Sequence, residues 1–122
     1  MNYKPILVVA GEPHSIFFEI FFKSLKNKKY KNFIILIGSK KLLIKQMVKM
    51  NYNFAINDIN KDKINFKYLS KTKINLINVN FFFKKTFDKI TNKSNNYISK
   101  SFKIALELIK KDKYAGLING PI

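Results

Sequence analysis

Lys4-Pro5-Ile6-Leu7-Val8-Val9-Ala10-Gly11-Glu12-Pro13 decides the fold of this 122-residue chain. The run from Pro5 to Ala10 is almost continuously apolar, the pattern of a strand buried on both faces of a parallel sheet. Gly11-Glu12-Pro13 ends it, and helical spacing follows from His14 or Ser15 to Leu25. Within that helix Ile16, Phe17, Phe18, Ile20, Phe21 and Phe22 cover nearly the whole circumference, so it is expected to be buried on more than one side. The far end of the chain repeats the arrangement. Ala115-Gly116-Leu117-Ile118 reads as a strand and Asn119-Gly120-Pro121-Ile122 as a second Gly-Pro turn. In α/β proteins ligands sit on the loops that follow strand C-termini, and both turns occupy that position. The candidate ligand-lining residues are therefore Gly11, Glu12, Asn119 and Gly120, the glycines shaping the loops. Glu12 has two readings: acceptor for a ligand hydroxyl or ammonium, or cap for the exposed N–H groups of the following helix.

Between the two ends the elements alternate. Phe33 to Ile37 is a second buried strand, and Gly38-Ser39 turns into a helix marked by Leu43, Met47 and Met50, with Ser39 as N-cap and Asn51 as stop. Residues 54–79 read differently. Ile64, Phe66 and Tyr68 alternate with Asn65 and Lys67, the period of a half-exposed strand, and Ile74 to Val79 is a further strand. This section is expected to form an antiparallel excursion on the sheet edge. Phe81 to Lys93 has no period, and the triplet Phe81 to Phe83 fits either an irregular buried loop or packing against a partner. From Asn95 a helix begins, with Ile98, Phe102, Ala105 and Ile109 on one stripe, and it ends near Asp112. The order is that of an α/β protein: a mostly parallel sheet flanked by helices.

One domain fits this length. There is no cysteine, so disulfides and thiolate metal sites are excluded. No apolar run approaches the ~20 residues that span a bilayer, and Ile6 to Ala10 is too short for a secretory leader; a cytoplasmic location is the expectation. The net charge of +17 raises the question of nucleic acid. Every basic residue is a lysine, and none is the arginine best suited to forked phosphate and guanine contacts. The lysines are dispersed, and they rise together with Asn, Ile, Phe and Tyr, as an AT-rich coding sequence would dictate. Nucleic acid is therefore not the expected partner. A non-catalytic basic α/β module that binds nucleic acid or another polyanion stays as the alternative to an enzyme.

The chain carries no complete catalytic constellation. Metal sites need several convergent ligands, and the single histidine, His14, cannot make one. Glu19 sits among phenylalanines and needs a partner if buried. Gly11 stands alone, without a dinucleotide or P-loop glycine pattern.

Lys4-Pro5-Ile6, then Ala10-Gly11-Glu12-Pro13, Ile16 and Glu19, resembles the N-terminal signature of the 4-hydroxythreonine-4-phosphate dehydrogenase family of pyridoxine biosynthesis. Ile37-Gly38-Ser39 resembles that family's next strand-turn, and Ala115 to Ile122 the strand that leads into its later Pro-containing motif. The order runs through all 122 residues. Where the family continues Ala-Gly-Ile-Gly-Pro-Glu, this chain has His14-Ser15-Ile16-Phe17-Phe18-Glu19, losing two glycines to Ser15 and Phe17. The resemblance implies an incomplete isocitrate/isopropylmalate-dehydrogenase-like domain, residues 1–122 being the partial N-terminal domain of a longer, two-domain enzyme. It also implies NAD-dependent oxidation of a phosphorylated hydroxy-amino acid followed by decarboxylation. The family works as a homodimer holding a divalent metal (Zn, Mg or Co). Its metal-binding histidines and substrate-handling His-Thr pair have no counterpart here, so no catalytic or metal residue is expected within this chain.

Overall fold

In the computed structural model, residues 3–27, 31–82 and 94–121 are described. Five strands form one sheet: β1 (Ile6–Val9), β2 (Ile34–Gly38), β3 (Ile56–Asp58), β4 (Ile74–Asn78) and β5 (Gly116–Asn119). Their order is β3-β4-β2-β1-β5, and every pairing is parallel. Three helices cover the sheet: α1 (Phe17–Lys26), α2 (Lys40–Lys49) and α3 (Asn95–Ile109).

The alternation of the pleat divides the core in two. Val8, Leu36, Ile74 and Leu76 face α1 and α2, where Phe18, Phe21, Phe22, Leu42, Leu43 and Met47 close over them. Phe22 is fully buried and stacks with Phe18 and Phe54, with the Tyr52 ring tilted against it. On the other face Leu7, Val9, Ile35, Ile37 and Ile77 meet Tyr97, Ile98, Ala105 and Leu108 of α3.

The middle of the chain departs from the sequence expectation. There is no antiparallel excursion: β3 lies parallel to β4, with Ile56 opposite Ile74. Ile64 to Tyr68 is not a strand, and Phe66–Tyr68 forms a turn of 3-10 helix. Three alternating residues satisfy a strand period and a tight turn equally well. Here the turn wins because the Asn65 side chain accepts from the Lys67 amide, a local bond that competes with a ladder. Ile64 and Phe66 then pack partly buried on the α3 face of the core.

The other boundaries hold within about three residues, α3 ending at Ile109 rather than near Asp112. α1 starts later than expected, because Glu12 to Ser15 forms a turn in which Ser15 N donates to Glu12 O at 3.2 Å. Ser39 caps α2 by accepting from Leu42 N, and Asn51 ends that segment with φ 59°. Asp112 takes φ 51° after α3. Phe83 and residues 84–93 of the aperiodic stretch lie outside the described residues. Phe81 is partly buried against Tyr97, with ring centroids 4.9 Å apart, while Phe82 is 92% exposed. Among the described residues no helix is long and apolar enough to cross a membrane.

Candidate functional site

The turns after β1 and β5 meet because their strands are neighbours, with Val9 opposite Asn119. Gly120 N donates to Val9 O at 2.8 Å and Glu12 N donates to Pro121 O at 2.6 Å, so the ladder continues past the strands into the turns. Gly11 has φ +76°, a conformation open to glycine at little cost. A Cβ there would also strike the Pro121 carbonyl oxygen and stand 2.8 Å from the Gly120 carbonyl carbon. A Cβ on Gly120 would strike the Ala10 carbonyl oxygen and stand 2.8 Å from Phe17 Cδ1. Each glycine is what allows the other turn to approach. Phe17, which stands where the resembled signature has glycine, packs over Gly120 and occupies the space above it.

Glu12 is 6% exposed. Its Oε1 accepts from His14 N and from Ser94 Oγ, both at 3.3 Å. Ser94 immediately precedes α3, so the carboxylate lies at a helix N-terminus, where negative charge is favoured. The helix it supports is thus α3, and the start of α1 is served by Ser15, whose Oγ accepts from Phe17 N. Asn119 is exposed, and its side-chain amide turns back to donate to Gly120 O at 2.9 Å. All four residues lie on one edge of the sheet, at the tips of two adjacent strands.

Two further groups of this rim carried no signal in the sequence. Tyr97 is buried, and its hydroxyl accepts from Ser39 N at 2.9 Å, tying the α2 cap to α3. Burial pushes its pKa up to about 12; the Ser39 amide lowers it and the nearby Glu12 carboxylate raises it further. The other lies between β2 and β4, where successive connections pass to opposite faces of the sheet. Such a switch point is the usual ligand crevice of an open α/β sheet. Here it is bridged by side chains: Lys40 N donates to Asn78 Oδ1 at 2.9 Å, and Lys40 Nζ pairs with Asp58 Oδ2 at 2.7 Å. Beside it a concavity of about 410 Å³ is lined by Asp58, Asn60, Lys61, Asp62 and Asn78, among others. Finding it requires knowing that β3 joins the sheet, which its three residues do not announce.

The other singled-out side chains have structural partners. Glu19 is half exposed and pairs with Lys23 at 3.4 Å. The His14 ring lies edge-on to Phe81 at 5.6 Å, and its Nδ1 is buried without a hydrogen-bond partner. Among the described residues no group of three His, Cys, Asp or Glu side chains converges as a metal site would require. A dinucleotide pyrophosphate needs backbone amides left open beside small residues, and here each glycine turn is filled by the other. Among the described residues, none of these groups fits a metal ion or a dinucleotide.

No protein-family model and no curated protein sequence matches the chain. Solved structures do. A 4-hydroxythreonine-4-phosphate dehydrogenase from Burkholderia phymatum superposes with a TM-score of 0.82 at 16% identity, over 98% of this chain and 36% of that one. The corresponding dehydrogenase from Klebsiella pneumoniae gives 0.74 at 18% identity, over 97% and 37%. At such identity the likeness establishes the fold, an α/β sheet shared with these dehydrogenases. The chain spans little more than a third of the length of either.

Proposed function

We propose that this chain is the N-terminal α/β domain of an NAD-dependent dehydrogenase that oxidises a phosphorylated hydroxy-amino acid, with decarboxylation following, in cytoplasmic pyridoxal phosphate synthesis. The observation that carries the reading is a coincidence of two kinds. The short motifs Lys4-Pro5-Ile6, Ala10-Gly11-Glu12-Pro13 and Asn119-Gly120-Pro121 stand in the family's order, and the whole chain takes the fold of structures bearing that name. Neither the motifs nor the fold alone would be specific.

In this reading the chain contributes the frame. The interlocked turns fix the tips of β1 and β5, Glu12 anchors the start of α3 to that rim, and Asn119 is the exposed polar group at its edge. The reacting groups, the metal and the nicotinamide belong to other parts of a longer, homodimeric protein, so no chemical step is routed through residues 1–122. The test is the full-length gene product supplied with 4-hydroxythreonine-4-phosphate, NAD and a divalent metal. NADH formation is expected, while the 122-residue chain alone forms none. Absence of NADH with the folded full-length product refutes the assignment.

A further inference from the structure

The lysines are dispersed along the sequence, but the fold gathers some of them at one place. A groove of about 460 Å³ opens at the N-terminal ends of the strands, the sheet edge opposite the interlocked turns. Pro5 and Phe33, which lead into β1 and β2, line it. Lys31, Lys67 and Lys71 reach it from three separate segments: the approach to β2, the 3-10 turn and the approach to β4. All three are exposed. A smaller hollow of about 200 Å³ shares Phe33 and Lys71 with the groove and adds Lys73. Among the described residues no Asp or Glu lines either one. Glu19, Asp58, Asp62 and Asp112 pair with Lys23, Lys40, Lys61 and Lys4, so these carboxylates are committed to other lysines.

Three aromatic rings complete the groove, those of Tyr3, Phe33 and Phe66. Lys31 Nζ stands 5.9 Å from the centre of the Tyr3 ring and Lys71 Nζ 4.4 Å from that of Phe33. Such contacts hold an ammonium against an apolar wall without neutralising it. Tyr3 is 42% exposed, so part of this residue stays open to a ligand. A ligand that fits must bring negative charge for the ammonium groups and flat surface for the rings. Phosphate meets the first need, since lysine binds it as a point charge. A nucleobase meets the second, because stacking on an aromatic side chain uses the face that every base has. The volume lies in the range of small-molecule sites.

We propose that this groove binds a free nucleotide, its base against the aromatic wall and its phosphate among Lys31, Lys67 and Lys71. A nucleic-acid strand is the poorer occupant. The basic residues converge on one concave spot, and the chain has no arginine for forked phosphate or base-edge contacts. The groove is separate from the rim of Glu12 and Asn119, and the inference does not rest on the proposed activity.

The test is photolabelling of the full-length gene product with 8-azidoadenosine monophosphate, followed by peptide mapping. Label is expected on the peptides that carry Tyr3 or Phe66 to Lys71. Excess adenosine monophosphate should suppress it, while adenosine or inorganic phosphate at the same concentration should not. Lys31→Gln combined with Lys67→Gln should weaken the competition by adenosine monophosphate roughly fivefold for each lysine, the worth of one contact between unit charges in water. Lys100→Gln combined with Lys103→Gln makes the same charge change at exposed positions of α3 and should leave it unaltered. Tyr3→Ala removes a ring without touching the charge and should also weaken labelling, which keeps the test decisive if the lysine pair lowers the melting temperature. Label confined to other peptides overturns the proposal, as does an equal loss in the two lysine pairs or undiminished labelling of Tyr3→Ala. Suppression by inorganic phosphate as strong as by the nucleotide would leave a bare anion site and refute it. Stronger suppression by a single-stranded oligonucleotide would assign the groove to nucleic acid and refute it too.

Discussion

Gly11→Ala is the most informative single substitution, because two independent physical terms fall on one methyl group. At φ +76° an L-residue costs about 1 kcal/mol relative to glycine. The added Cβ also meets the Pro121 carbonyl oxygen and the Gly120 carbonyl carbon, both backbone, so nothing can rotate aside. Relief requires the turns to separate, which breaks the bonds from Glu12 N to Pro121 O and from Gly120 N to Val9 O. Each is worth about 1 kcal/mol. The total is about 3 kcal/mol, or roughly a 10 °C fall in melting temperature for a domain of this size. Gly120→Ala lacks the dihedral term but collides with Ala10 O and Phe17, giving about 2 kcal/mol on the same bond count. Because both substitutions break the same contacts, the double variant should be less destabilised than the sum. Gly116→Ala, whose Cβ meets nothing within 4 Å, is the control and should be near neutral. Urea unfolding of the four variants reads all of this. A Gly11→Ala protein within experimental error of Gly116→Ala would refute the interlocked turns.

The remaining predictions concern the buried groups around that rim. Tyr97→Phe leaves the buried Ser39 amide without its acceptor and should cost about 1–3 kcal/mol at neutral pH, measured by urea unfolding. Tyr97 also fixes a pH dependence. Its folded pKa of about 12 exceeds the unfolded value of 10.0, so the unfolded chain releases this proton first. The Tyr97 contribution is complete below pH ~10 and is lost by pH ~12, about 2–3 kcal/mol over that window. The Tyr97→Phe variant should lack that part of the alkaline loss; an identical pH profile for both proteins would contradict it. Glu12→Ala removes the acceptor of Ser94 Oγ and His14 N and should cost about 1–3 kcal/mol, with faster amide exchange at the start of α3 than in the parent. Phe22→Ala empties a fully buried site ringed by Phe18, Tyr52 and Phe54 and should cost about 3–5 kcal/mol in thermal unfolding.

The strands that proved readable are those whose burial is written in an unbroken apolar run. Ile6–Val9 and Ile34–Gly38 are covered on both faces, so composition alone reports them. The Ser39 cap and the Asn51 stop were legible because one side-chain oxygen and one positive φ suffice at such positions. β3 was not legible: Ile56-Asn57-Asp58 has one apolar residue, and its strand character comes from pairing with β4. Phe66–Tyr68 imitated a strand because three alternating residues cannot distinguish the two periods. The rim was half legible. Gly11, Glu12, Asn119 and Gly120 were found from turn chemistry, and the structure brings them to adjacent strand tips. That the glycines receive each other depends on β1 and β5 being neighbours, a fact of topology. Ser94 and Tyr97 reach Glu12 and Ser39 across 82 and 58 residues of sequence, distances at which no local pattern speaks. The apolar circumference of α1 suggested burial on more than one side, but its buried residues are Phe18, Phe21 and Phe22, and Ile20 and the N-cap Ile16 are exposed.

Amide hydrogen exchange at Glu12 and Gly120 tests the interlocked rim most directly. Both N–H groups sit in turns, yet they donate to Pro121 O and Val9 O as if they belonged to the sheet. The expected result is exchange as slow as that of Leu36 in central strand β2, accelerated many-fold by Gly11→Ala. Exchange at the rate of an open loop in the unsubstituted protein would show that the two turns do not hold each other.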